Sequence, residues 1–333
     1  MIFGKMKFNT DIMKRFYTTI GVLVIILVHI NETLFCQHKI DIINHIWEAS
    51  WVSHGALKGD EYTVLQFGKD FNLTKIPSTY PIAISADNRY KLYINGTYVG
   101  NGPARGELNN WRYDTYDIAK HLKDGLNFLR VVVWNFGQDR PVFQMTTKTG
   151  LIIQDLSDEK LLTTDSTYKV KIDQSYSPIR VNLNTYYVVG PGELFDASKH
   201  DFGWKTTPLN KSFSNVKLGN RGIPLKAISA YGQGPDRILV PRTIPFMEEY
   251  NQSFSTIRRS SVPLKGNFLK GESCLIPARS KVTFLVDQGH LTNAYPILTI
   301  SKGDKAKIKL KYCESLVDST LVKGNRSEIK ESK

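Results

Sequence analysis

Cysteine is scarce in this chain: three residues in 333, and beyond Cys36 only Cys274 and Cys313. No Cys/His cluster with ligand spacing accompanies them. The six histidines from His38 onward are widely separated, which argues against a zinc site. Long hydrophobic runs are missing too. The most apolar stretch, IGVLVIILVHI (Ile20–Ile30), holds eleven residues, short of the roughly 20 that a membrane-spanning helix needs. Amphipathic runs of helical period are absent apart from the short DIAKHLKDG, with Asp117 as N-cap and Gly125 as terminator. Without helices alternating with strands, a parallel nucleotide-binding sheet has no support. Nor is there a Gly-x-Ser-x-Gly elbow or a Ser/His spacing that would carry covalent hydrolase chemistry.

What is present begins with an export-like leader. Lys5, Lys7, Lys14 and Arg15 precede the apolar run, and NETLFCQ follows it, the charged, apolar, polar order of a secretory signal. Either Met1 or Met13 can serve as the start. Cleavage after Cys36 would leave Gln37 first and place the protein in the periplasm or outside the cell. A lipid anchor at Cys36 is the alternative, but Phe35 stands where a small residue is expected. Removing residues 1–36 leaves 40 basic against 29 acidic residues, a formal charge of +11. The Lys and Arg residues are scattered between strands, with no basic helix and no aromatic RNA-binding signature. The charge therefore reads as a solvated basic surface rather than a nucleic-acid footprint, with acidic polysaccharides as its electrostatic partners. An exported setting permits a disulfide between Cys274 and Cys313, and two buried free thiols fit the sequence equally.

The mature chain reads as all-β. In RYKLYIN, Tyr90, Leu92 and Ile94 fall on one face and Arg89, Lys91 and Tyr93 on the other. FLRVVVWNF (Phe128–Phe136) is almost continuously apolar, as expected of a strand inside a sandwich, which places Trp134 in the core. PVFQMTT, GLIIQDL, YKVKI and NTYYVVG follow as further strands. All five tryptophans precede residue 205, and a proline-containing passage runs from Gly232 to Glu249. That divides the chain into a leader (1–36), a first antiparallel β-sandwich (37–231), an interdomain linker (232–249) and a second, incomplete β-sandwich (250–333). The second is expected to use SKVTFLVDQG, YPILTIS and AKIKLKYCESL as strands before the hydrophilic VKGNRSEIKESK.

The glycine-rich GNGPARG (Gly100–Gly106) tests whether phosphate chemistry is present. A dinucleotide fingerprint needs G-x-G-x-x-G opening a helix. Here the third glycine is displaced by one residue, Pro103 removes an amide, and a strand-like segment follows. A P-loop ending is absent as well. Asn95-Gly96 instead favours a type I′ hairpin turn. Gly100 and Gly102 are expected to carry the chain through a bend into WRYDTYDI, in which Asp114 and Asp117 read as turn and cap residues.

These segments together resemble the N-terminal β-sandwich of bacterial α-L-rhamnosidases, glycoside hydrolase family 78. The resemblance rests on NRYKLYINGTYVGNGPARG and WRYDTYDIAKHLKDGLNFLRVVVWNFG. It extends through PGELFDASKHDFGW (Pro191–Trp204), VPRTIPFMEE (Val240–Glu249) and DQGHLTNAYPILTISKGDKAKIKLKYCESL. It implies a jelly-roll-like, galactose-binding-like sandwich and a partnership with a catalytic (α/α)₆ barrel that the chain does not contain. No catalytic residue of the family maps onto it, and no cofactor or metal is implied.

The resemblance implies a non-catalytic portion of an exported enzyme acting on terminal α-L-rhamnose. A stand-alone carbohydrate-binding module and a nonfunctional fragment of an interrupted gene are the alternatives. Glu193 and Asp196 are the carboxylates to weigh for acid/base work, which needs a pair roughly 6.5–9.5 Å apart across the substrate. Three positions apart on a strand, they face opposite sides. Sugars present C–H faces to aromatic rings and hydroxyls to polar groups. Trp111, Tyr113 and Trp204, with Arg105, Asn109, Glu193 and Asp196, are accordingly the candidates for binding a rhamnose-containing glycan or for a domain contact. Trp111, beside Asn109-Asn110, is the aromatic expected at the surface.

Overall fold

A computed structural model of the chain describes residues 41–180, 188, 190–230, 236–263 and 266–313. Residues 1–40 with Cys36, most of NTYYVVG and the hydrophilic C-terminal run lie outside these residues. Among the described residues the structure is almost entirely β, and the longest helical element is a six-residue 3₁₀ turn, Leu225–Ala230. No helix among them is long and apolar enough to cross a membrane.

The chain divides into two units, after Pro245. The first contains β1 (Ser50–His54), β2 (Tyr62–Leu73), β3 (Pro81–Asp87), β4 (Arg89–Ile94), β5 (Thr97–Gly102), β6 (Trp111–Asp117) and β7 (Gly125–Phe136). It continues with β8 (Gly150–Asp155), β9 (Lys169–Ile172), β10 (Tyr176–Ile179), β11 (Gly192–Phe195), β12 (Ser214–Arg221), β13 (Ile223–Pro224) and β14 (Ile238–Pro241). Twelve of these form one sheet in the order β13-β14-β6-β3-β8-β1-β12-β9-β2-β7-β4-β5, while β10 and β11 pair separately. Strand β12 joins the two halves of that sheet. Its Ser214 and Asn215 pair with β9, and its Val216 to Arg221 pair with β1. Pairing is antiparallel except where β14 runs parallel to β6 and to β13.

The core lies between the halves. Leu65, Phe67, Leu92, Ile94, Leu129, Val131 and Val133 from one half bury against Val52, Ile82, Ile84, Leu151 and Ile153 from the other. Each fully buried aliphatic side chain of this kind contributes about 1.5–3 kcal/mol. The period-two pattern in β4 is realised, with Tyr90, Leu92 and Ile94 buried and Arg89, Lys91 and Tyr93 half-buried on the opposite face. The Asn95-Gly96 turn has positive φ at both residues, 52° and 83°, as a type I′ turn requires. Asn95 does more than turn the chain. Its Oδ1 accepts from the Phe128 amide at 2.9 Å, and its Nδ2 donates to Asn127 Oδ1 at 2.8 Å. Asn127 in turn accepts from the Lys123 amide, so the Gly-x-Asn entry to β7 is pinned by side-chain hydrogen bonds.

Four local expectations are corrected. Gly100 and Gly102 lie within β5 rather than in a bend. A Cβ on Gly100 would meet the Tyr116 ring at 2.6–2.8 Å, and one on Gly102 would lie 2.0 Å from Asp114 Oδ2, so these glycines admit polar side chains beneath the strand. Asp114 is no turn residue: it is fully buried on β6, accepts from Tyr90 Oη at 2.5 Å, and pairs with Arg242 Nη1 at 3.1 Å. PVFQMTT is a loop with Val142 and Phe143 exposed, held by the buried Asp87 carboxylate through Thr146 and the amides of Thr147 and Lys148. DIAKHLKDG forms only the 3₁₀ turn Ala119–His121, with the Asp117 carboxylate accepting from the Ala119 amide.

The second unit, taken by itself, pairs β15 (Thr256–Ser260) with β16 (Phe284–Asp287), and Arg258 bridges to Asp287 at 2.9 Å. Residues 295–301 and 306–313, expected as strands, join no ladder among the described residues, and Tyr295, Ile297, Ile300 and Ile308 are exposed. Cys274, half-buried, and Cys313, exposed, are free thiols.

Candidate functional site

Alternation along β2, β4 and β7 gives the sheet a second, outward face. Lys91 and Tyr93 of β4, Val132 and Trp134 of β7, and Tyr62 and Val64 of β2 point away from the main core. Register places Trp134 opposite Val64 on one side and Arg89 on the other. Val64, Val132, Trp204 and Phe213 are buried there, while Tyr62, Tyr93, Trp134 and Tyr176 remain partly open.

The segment that covers this face is latched by Arg130. Its buried guanidinium pairs with Asp70 at 2.6 Å and donates to the carbonyls of Trp204 and Thr207 at 2.9 and 2.8 Å. Gly68, across β2, leaves the room: a Cβ there would lie 2.7 Å from a Leu209 methyl and 3.2 Å from Arg130 Nη1.

Around the open edge the chemistry is aromatic, cationic and acidic together. Lys91 Nζ sits 5.3 Å from the Trp134 ring centre and Lys205 Nζ 4.2 Å from that of Tyr93, both in cation–π range. Glu193, on β11, faces Lys91, Tyr62 and Tyr176 electrostatically. Although Glu193 as a residue is exposed, desolvation pushes its carboxyl above the ordinary value, with Lys91 pulling the other way. Desolvation and then the neighbouring Lys91 lower Lys205. The Tyr62 hydroxyl is pushed up to about 12, by desolvation first and then by Glu193 and Asp139. Partly open rings flanked by amines and a carboxylate can stack on a sugar's C–H face while hydrogen-bonding its hydroxyls.

Beside this surface, Asp173, Ser175 and His200 imitate a nucleophilic triad. The Ser175 hydroxyl and Asp173 Oδ2 meet the same His200 nitrogen, Nδ1, at 3.2 and 3.0 Å. A triad places serine and carboxylate on opposite ring nitrogens, so this cluster braces a turn. His200 packs edge-on against Tyr176, Phe195 and Phe202.

The residues expected from the sequence are dispersed. Arg105 and Asn109 are exposed; the Asn109 amide donates to Glu107 in the loop before β6, and Arg105 has no ion pair among the described residues. Trp111 is buried, which reverses the expectation of surface exposure; Tyr113 is buried with it, and both join Trp47, Trp51 and Leu239 in a second apolar cluster. Trp204 is buried beneath the outer face. Glu193 alone of the seven reaches the open aromatic edge. Asp196 caps the turn Ala197–Lys199 and bridges to Lys199 at 3.4 Å, and its carboxyl is held low chiefly by the Ser198 hydrogen bonds. Glu193 and Asp196 thus occupy different settings, the first against Lys91 and the tyrosines, the second capping a turn. Trp134, expected in the core, is half-buried on the outer face. Lys91 and Tyr93 were legible as outward-facing; Tyr62, Tyr176 and Lys205 carried no signal until the sheet was paired. No group of three or more metal-ligating side chains occurs among the described residues.

No family model and no curated protein matches the chain. Among solved structures it is similar to the GH78 family rhamnosidase of Bacillus sp. GL1, with 26% identity and a TM-score of 0.55, over 65% of this chain and 22% of that one. It also matches the α-L-rhamnosidase from Dictyoglumus thermophilum, with 21% identity and a TM-score of 0.42, over 66% of this chain and 24% of that one. A Pleurotus ostreatus lectin matches with 18% identity and a TM-score of 0.35, over 53% of this chain and 43% of that one. The chain therefore spans less than a quarter of either rhamnosidase, and over 65% of its own length it is similar in fold to part of the Bacillus sp. GL1 protein.

Proposed function

We propose that this chain is a non-catalytic, carbohydrate-binding portion of an exported α-L-rhamnosidase-like glycoside hydrolase, whose substrate carries terminal α-L-rhamnose. The observation that carries the reading is the half-open Tyr62–Tyr93–Trp134–Tyr176 edge with Lys91, Glu193 and Lys205, on a sandwich similar to part of a GH78 rhamnosidase. The charged and apolar order of residues 1–36 supports export. The separate settings of Glu193 and Asp196 support the absence of hydrolysis by this portion.

Titration of the purified chain with a rhamnose-containing oligosaccharide tests it. Saturable binding is expected, and Trp134→Ala should weaken it by a factor of about 10, from loss of one stacking ring worth roughly 0.5–1.5 kcal/mol plus its buried area. The fold should persist in this variant, since Trp134 is half-buried. No turnover of an aryl α-L-rhamnoside is expected. Turnover abolished by Glu193→Gln would overturn the non-catalytic assignment.

A further inference from the structure

Lys205 is a cation held in place by the core. The buried Arg130 guanidinium takes the carbonyl before it, Trp204, at 2.9 Å and that of Thr207 beyond it at 2.8 Å. The Thr206 amide closes the turn onto the Gly203 carbonyl at 3.0 Å. The same turn seats against the β4–β5 hairpin, where a Cβ on Gly96 would lie 2.5 Å from the Thr206 methyl. On this fixed backbone the half-buried Lys205 brings its Nζ to 4.2 Å from the Tyr93 ring centre.

Lys91 stands beside it. Lys91 and Tyr93 share the outward face of β4, with Cα atoms about 6.5 Å apart along the strand, and Lys91 Nζ lies over the Trp134 ring. The two ammoniums repel, for Lys91 is the charged neighbour that adds to desolvation in lowering Lys205. Lys205 has no ion pair among the described residues. The carboxylates nearby do not balance the pair. Glu193 faces Lys91 and is itself pushed above its ordinary value by desolvation, and Asp139 is engaged by Arg180 at 3.1 Å. Like charges held together in a half-desolvated setting disfavour each other, and an anion between them relieves both costs. Rings already faced by ammoniums are closed to a cationic ligand. The charge this edge lacks is negative.

We propose that the saccharide recognised at this edge is an anionic one, whose carboxylate or sulfate group is received by the ammoniums of Lys91 and Lys205 while its ring stacks on the neighbouring aromatics. The inference rests on the carbohydrate-binding reading and narrows it to acidic glycans, with Lys205 as the specificity-determining residue. Lysine acts as a point charge rather than a planar fork, so the pair suits a carboxylate and a sulfate alike. A uronic acid and a sulfated sugar are the two sources.

The test is calorimetric titration of the full chain with trigalacturonate, its methyl ester, a sulfated galactotriose and a neutral rhamnose-containing oligosaccharide. Trigalacturonate is expected to bind roughly tenfold more tightly than its methyl ester, an advantage that shrinks as salt is raised. Lys205→Met keeps an unbranched side chain over Tyr93 without the charge. It should cost trigalacturonate roughly tenfold and the methyl ester far less, and Lys205→Arg should restore most of the difference. Glu193→Gln removes the competing carboxylate and should tighten trigalacturonate several-fold. Lys226, exposed in the Leu225–Ala230 turn, controls for the basic surface at large, and Lys226→Met should leave the affinity unaltered. Tighter binding of the sulfated trisaccharide assigns the edge to a sulfated glycan, and tighter binding of trigalacturonate to a uronate; comparable affinities support charge alone as the requirement. Equal affinity for trigalacturonate and its methyl ester, or equal losses in Lys205→Met and Lys226→Met, would overturn the inference. In that case binding of the neutral oligosaccharides leaves the carbohydrate-binding reading standing, whereas failure of all the saccharides sinks both.

Discussion

Glycine in β5 is a packing residue. Gly102 stands where any side chain would strike the Asp114 carboxylate, which is itself held by Tyr90 and Arg242. Overpacking of this kind costs about 1–3 kcal/mol, and we expect Gly102→Ala to fall at the upper end because the struck group is buried and bonded on both oxygens. Gly55→Ala, where nothing lies within 4 Å of the added carbon, serves as the control and should stay within about 0.5 kcal/mol of the parent in urea denaturation. Glu193 makes a different single-residue prediction. Its carboxyl is raised above 4.5 by desolvation, so the folded state holds that proton more tightly than the unfolded chain does. Stability therefore decreases as pH rises from 4.5 through the folded midpoint. Glu193→Gln should flatten that slope in denaturation midpoints measured against pH, by an amount limited by the solvent on the open side. An unchanged slope would place the proton elsewhere.

At the scale of elements, the passage VPRTIP works as a strand followed by a clasp. β14 runs parallel to β6 with Leu239 opposite Trp111 and Val240 opposite Arg112. Immediately after it, Arg242 folds back onto Asp114 while donating to the carbonyls of Ile244 and Pro245. Removing one partner of a buried pair leaves an uncompensated charge and costs about 3–5 kcal/mol. Arg242→Met should accordingly destabilise the chain by that order, and adding Asp114→Asn should recover a substantial part of the loss. Equal stability of the single and double variants in chemical denaturation would show that the pair is not coupled. The prolines suggested a linker because they punctuate the chain; pairing of Ile238–Pro241 with a strand more than a hundred residues earlier was not visible in local pattern.

For the whole molecule, the division after Pro245 separates a unit with a continuous core from one whose described strands are a single hairpin. Phe246, Met247 and Tyr250 are exposed just beyond that division. Limited chymotrypsin digestion should cut there first and release an N-terminal fragment that retains a cooperative melt, while the remainder is degraded. A fragment that unfolds on cleavage would contradict the independence of the first core. A two-stranded hairpin alone is marginally stable in water, which is the reason for expecting the asymmetry.

Local pattern determined much of this protein. Two-residue periodicity in RYKLYIN, the Asn95-Gly96 turn and the scarcity of helical runs were sufficient for an all-β first unit, because pleat and turn geometry are set by neighbours in the chain. Which aromatics meet solvent was decided only by tertiary structure. FLRVVVWNF is apolar on both faces, so periodicity could not say that Val133 faces the core while Trp134 faces outward. Trp111 looks exposed beside two asparagines, yet β14 and Trp47 from distant segments bury it. The same holds for chemistry: Arg237 stacks on Trp51 and pairs with Asp87 across some 150 residues of chain. Stacking and ion pairing are properties of that convergence, and a sequence lists its residues without saying which of them meet.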